Sequence, residues 1–84
     1  MTRVLYFASL AETLGRKEEQ FELAPDCNSV EDLVATLRAR GEPFAGAFDG
    51  STRILVAINQ EMSELSAAIE PGDEIAFFPP VTGG

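Results

Sequence analysis

A single stretch of this chain carries strong helical periodicity, and it sits among short apolar runs of strand length. Val30, Leu33, Val34 and Leu37 fall at i, i+3, i+4 and i+7, which is one face of an α-helix. Ser29 and Asp32 have capping-box spacing at its start, Arg38 and Arg40 bring positive charge to its C-terminal end, and Gly41 stops it. A lone helix of this kind has one apolar stripe to bury, so strands must supply the surface that covers it.

The strands are legible on both sides. Residues 3–8 form an apolar run rich in β-favouring side chains, read as a buried opening strand. Ser9 and Glu12 repeat the capping spacing and Gly15 offers a left-handed stop, so residues 10–14 are expected to make about one helical turn. Residues 18–23 alternate polar and apolar from Gln20 onward, as a half-buried strand does. Residues 42–48 contain Pro43 and Gly46 but also Phe44 and Phe48 four apart, which predicts an irregular segment lying over the core. After the Asp49-Gly50 turn, residues 53–58 are so continuously apolar that a central strand covered on both faces is expected. Asn59 and Gln60 end it, residues 62–70 read as a connection, and Pro71-Gly72-Asp73 turns the chain into a last strand at 74–78. The expected order is ββαββ: an α+β fold, with one main helix packed on one face of a mixed sheet.

Eighty-four residues, 45% of them hydrophobic, suffice for one core and not for two. The expected division is a domain over 1–78 and an extended tail over 79–84. Fourteen acidic residues against six basic ones leave a formal charge of −8, a field that repels nucleic-acid phosphates and anionic membrane surfaces and suits solubility or a basic protein partner. Cys27 is the only cysteine and has no intrachain disulfide partner, which fits a reducing compartment. The first residues lack the pattern of a signal peptide and no apolar run approaches the length of about 18 that suggests a membrane span. A cytoplasmic protein is the expectation.

The chemistry that such a chain can do on its own is narrow. It has no histidine, so the commonest acid/base group near neutral pH and any histidine-based metal site are missing, and no phosphate-cradling glycine loop appears. No metal, no bound cofactor and no independent catalysis are expected. What it does have is a tail: Pro79 and Pro80 cannot donate to a sheet ladder and favour an extended backbone, while Gly83 and Gly84 carry no Cβ and fit a channel too narrow for side chains. A carboxylate at Gly84 is ionised at neutral pH, with an α-carboxyl pKa of roughly 3.3–3.7, and is a poor electrophile until activated. An acyl-adenylate would supply the leaving group, and attack by an enzyme-bound sulfur would leave a thiocarboxylate, a soft nucleophile.

Residues 4–8, 56–60, 71–78 and above all 79–84, Pro79-Pro80-Val81-Thr82-Gly83-Gly84 after an acidic turn and Phe77-Phe78, resemble the small subunit of molybdopterin synthase, often called MoaD. The resemblance runs from end to end. It implies a ubiquitin-like β-grasp, a Gly84 that an E1-like (MoeB-like) enzyme adenylates with ATP and that is then thiocarboxylated, and a tail (Pro79, Pro80, Val81, Thr82, Gly83) that enters the large (MoaE-like) subunit. There sulfur would pass to cyclic pyranopterin monophosphate to build the dithiolene of molybdopterin, a step of molybdenum cofactor biosynthesis. The chain would be a sulfur-donating subunit of the synthase rather than an enzyme alone. The resemblance also places Phe7, Met62 and Phe78 at the apolar contact with the large subunit. From the residues themselves, Phe7 and Phe78 fit a core role equally well.

Other readings use the same residues. A sulfur carrier for the thiazole of thiamin shares the mechanism. A protein modifier would join Gly84 to lysines of targets. Cys27 as a persulfide carrier is disfavoured by Asp26 beside it, which opposes a thiolate. Lys17, the only lysine, reads as a solvated turn residue, with an isopeptide link to Gly84 as its functional alternative.

Overall fold

The computed structural model describes residues 1–51 and 53–80. Strand β1 spans Thr2–Tyr6, helix α1 Ala8–Leu14, strand β2 Glu18–Phe21, helix α2 Val30–Arg38, helix α3 Phe44–Ala47, and strands β3, β4 and β5 Leu55–Ile58, Glu61–Ser63 and Glu74–Phe78. The five strands form one sheet in the order β2-β1-β5-β3-β4, with β1 and β5 parallel and the other neighbours antiparallel.

Helix α2 is built as its spacing predicts. Ser29 Oγ accepts from the Asp32 N–H at 3.2 Å, satisfying one of the donors left over in the first turn, and the Asp32 carboxylate accepts from the N–H of Asn28, just before the cap, at 2.9 Å. Its stripe of Val30, Leu33 and Leu37 is fully buried. Under it lie Val4 and Tyr6 of β1, Ile75 and Phe77 of β5 and Val56 of β3. The register places Val4 beside Ile75, and Tyr6 beside Phe77, which also pairs Val56. A mixed sheet gripping one main helix is the expected β-grasp.

Several elements differ from their sequence reading, each for a local reason. Helix α1 opens at Ala8 rather than after Ser9, with Phe7 as its N-cap and no side-chain cap. The Phe7 carbonyl takes the place of the Ser9 hydroxyl, accepting from the N–H groups of Leu10 and Ala11 at 3.1 and 3.4 Å. Gly15 closes the helix at φ 73°, as expected. Strand β2 stops at Phe21 because its partner begins at Thr2, which pairs Phe21. Residues 44–47 are helical rather than irregular, and Phe44 and Phe48 do lie buried over the core. Strand β3 starts at Leu55, opposite the last residue of β5, and lies inside the sheet between β5 and β4, as expected of a central strand.

Strand β4 was not expected at all. It pairs with β3 through a two-residue turn at Asn59 and Gln60, both at positive φ (51° and 70°), the backbone of a type I′ hairpin. Asn59 is held from both sides: its side chain accepts from the Glu74 N–H at 3.0 Å and donates to Asp73 at 3.1 Å. That explains a non-glycine residue in the left-handed region.

Candidate functional site at the root of the tail

Strand alternation gives the sheet a second face, turned away from α2. Leu5, Ala76, Ala57 and Met62 stand in one row across β1, β5, β3 and β4, since Leu5 pairs Ala76, Ala76 pairs Ala57, and Ala57 pairs Met62. Phe78 and Leu55 pair beside that row. Phe7, one residue past β1, meets Phe78 edge to face, with ring centroids 6.3 Å apart and planes at 83°. Its backbone is fixed there by an N–H bond to the Phe77 carbonyl at 3.1 Å.

This face is apolar, and among the described residues no helix covers it, although the small side chains of Ala57 and Ala76 are buried between their larger neighbours. Phe7 is 48% exposed and Met62 62% exposed, while Phe78 is half-buried. None of the three belongs to the buried cluster under α2, so the choice between core and surface for Phe7 and Phe78 falls to the surface. The three residues singled out from the sequence share one face, and Leu5, Leu55, Ala57 and Ala76 complete it. Leu5, Leu55 and Ala57 were absorbed into strands read as buried, and Ala76 into a last strand with no face assigned. Counting alternate positions in 3–8, 55–58 and 74–78, once only one long helix is available as cover, would have found them. At the β2 side the face is bordered by charge: Arg3 bonds Glu18 at 2.7 Å and lies 3.6 Å from Glu74.

Beneath Phe7 the adjoining residue is clamped. The Tyr6 hydroxyl donates to Glu19 at 2.7 Å, and the Arg40 guanidinium donates to both Glu19 oxygens at 3.0 and 2.9 Å. Arg40 also lies over the rings of Phe21 and Phe44, at 5.1 and 4.9 Å from their centroids. Burial by itself would raise the Glu19 carboxyl, but the bonds from Arg40 and Tyr6 outweigh it and hold the group below its ordinary value. Burial, with the bond to Glu19, pushes the Tyr6 phenol up. Arg40 therefore ties the end of the helical segment to β1 and β2 rather than complementing the α2 terminus, a role at a separation of 21 residues that no local pattern announces.

The remaining candidates are scattered. Cys27 is buried, and burial followed by the charges of Asp32 and Asp26 pushes its thiol up, the opposite of an activated nucleophile. The Lys17 side chain is exposed and only its carbonyl is used, accepting from the Tyr6 N–H at 2.8 Å. Among the described residues no group of three or more Cys, Asp or Glu is placed to hold a metal ion, and no helix is long and apolar enough to cross a membrane. Strand β5 delivers the chain from Phe78 to Pro79 and Pro80, both half-buried. The other tail candidates, Val81, Thr82, Gly83 and Gly84, lie outside the described residues.

Known proteins resemble this chain along its whole length. The chain is 42% identical to the molybdopterin synthase sulfur carrier subunit of Haemophilus influenzae over 84 residues, covering 100% of each. It is 38% identical to the subunit of that name from Escherichia coli, again over 100% of each. The crystal structure of small archaeal modifier protein 1 from Haloferax volcanii superposes with a TM-score of 0.74 at 29% identity, over 99% of this chain and 98% of that one. The ThiS family sequence model matches residues 4–84, from the first strand through the final glycines. With fold, open face and tail all inside that match, the chain belongs to the ThiS family.

Proposed function

We propose that this chain is the sulfur carrier subunit of a cytoplasmic molybdopterin synthase, with the Gly84 carboxylate as its working group. An E1-like enzyme adenylates Gly84 with ATP, a sulfur nucleophile displaces the adenylate, and the resulting thiocarboxylate gives its sulfur to cyclic pyranopterin monophosphate inside the large subunit. The carrier itself holds no cofactor. Its residues do three things: the sheet presents Phe7, Met62 and Phe78 to the partner, Pro79 and Pro80 lead the chain off β5, and Val81, Thr82 and Gly83 carry Gly84 into the partner's active site.

The observation that carries this reading is the exposed Phe7–Phe78 pair at the last residue of β5. A partner that covers this apolar face excludes water at the point where the tail departs. The names of the full-length relatives from Haemophilus influenzae and Escherichia coli support the pathway. The test is reconstitution of molybdopterin from thiocarboxylated chain and large subunit. Product is expected only from the thiocarboxylate, and removal of Gly84 should abolish transfer without lowering Tm, because that residue lies beyond the last strand. Equal product from unmodified chain would refute the proposal.

The likeness to a protein named a small archaeal modifier favours one second reading, attachment of Gly84 to lysines on other proteins. Intact mass after incubation with the activating enzyme separates the two, since a carrier exchanges oxygen for sulfur whereas a modifier appears as larger covalent adducts.

A further inference from the structure

Strand β4 ends at Ser63, which pairs Val56, so the preceding part of β3 has no neighbour on that side. The chain then crosses toward the start of α2, where Leu65 and Ala67 carbonyls accept from the Glu31 and Val30 N–H groups at 2.9 and 3.1 Å. Between this crossing and the loop before β3 lies a hollow of about 570 Å³ walled by Val34, Phe48, Ile54, Leu55, Met62 and Leu65. Arg53 and Glu64 stand at it as the charged side chains. Its outer wall is unusually apolar for free surface: Leu65 is 45% exposed and Met62 62% exposed.

The hollow is not a separate feature of the surface. Met62 and Leu55 line it and also belong to the open sheet face, so an object covering that face and wrapping the β4 edge would enter it. We propose that the hollow receives a large apolar side chain, leucine or aromatic, from the same large subunit that covers the sheet face, carried beside a basic residue that meets Glu64. The proposal rests on the sulfur-carrier reading for the identity of the partner. Continuity through Met62 and Leu55 argues for that occupant, and so does charge: Glu64 lines the hollow, on a chain of net charge −8. A buried apolar anchor within a polar rim is the arrangement that concentrates binding energy in interfaces.

The test measures affinity of the full chain for its large subunit, by titration calorimetry, for three variants. Leu65→Ser removes the exposed wall, Val34→Phe fills the hollow from the helix side, and Phe7→Ser disables the sheet face as a benchmark. Each is expected to weaken binding at least about 10-fold with an unchanged circular dichroism spectrum. If Phe7→Ser weakens binding while Leu65→Ser and Val34→Phe do not, the hollow is not part of the interface and the proposal is overturned while the carrier reading stands. If none of the three weakens binding, the sheet face itself is not the docking surface and both fall. Should Val34→Phe perturb the fold, Leu65→Ser, which alters a half-exposed side chain, still decides the matter.

Discussion

The two faces of this sheet come from the same strands, yet they are made to opposite specifications. On the face under α2 every large side chain is matched: Leu33, Leu37, Ile75 and Phe77 are fully buried, the Tyr6 hydroxyl donates to Glu19, and the buried Thr2 hydroxyl accepts from the Gly72 N–H. On the other face Phe7, Phe78, Leu55 and Met62 form an apolar surface that no helix among the described residues covers. A domain that only had to fold would place polar residues there, as antiparallel sheets with one wet face do. The difference teaches that the residues holding the fold and those proposed to meet a partner are separated by strand alternation, one residue out of phase.

That separation can be broken experimentally. The largest expected effect is on the closed face: Leu33→Ala should cost about 2–5 kcal/mol in denaturant unfolding, since it empties a fully buried site. A cost below about 1 kcal/mol would mean that this face is not the core. Next is the clamp beneath Phe7, where Glu19→Gln should cost about 1–3 kcal/mol by weakening charged hydrogen bonds to Arg40 and Tyr6. Because the folded Glu19 carboxyl sits below its ordinary value of 4.5, its contribution is present above that pH and is lost as pH falls through the lower folded value. The variant should therefore show a flatter acid limb in stability against pH, and an unchanged limb would remove Glu19 from the account.

On the open face the balance reverses. Phe7→Ser should cost about 1–2 kcal/mol in unfolding free energy, less than Leu33→Ala, because about half of Phe7 already meets water, while the partner affinity falls as described above. A large loss of stability would make Phe7 a core residue after all. The smallest effect belongs to the hairpin at the edge of both faces. Gln60→Gly should stabilise by about 0.5–1 kcal/mol, seen as a higher Tm, since φ 70° suits glycine better than glutamine.

Much of this was legible locally. The cap, stripe and stop of α2 follow from spacing at 29–41, and β5 was readable to the residue because the Pro71-Gly72-Asp73 turn brackets a continuous apolar run, with Gly72 at φ 98°. Strand β4 was not, because three residues, Glu61, Met62 and Ser63, carry no period of their own and pair only because β3 is there. Residues 44–47 were ambiguous for the same reason: Pro43 and Gly46 speak against a helix, and burial of Phe44 and Phe48 over the sheet decided for one.

By itself the amino-acid order determined the main helix, the short helix after β1 and four of the five strands, and it placed the candidate chemistry in a proline-rooted, glycine-ended tail. These are properties of neighbours along the chain. Only the tertiary structure decided that Phe7, Met62 and Phe78 share one uncovered face, and that Arg40 clamps Glu19 rather than serving its own helix. Those outcomes depend on the register between strands distant in sequence, and register is set by what the closed face must bury.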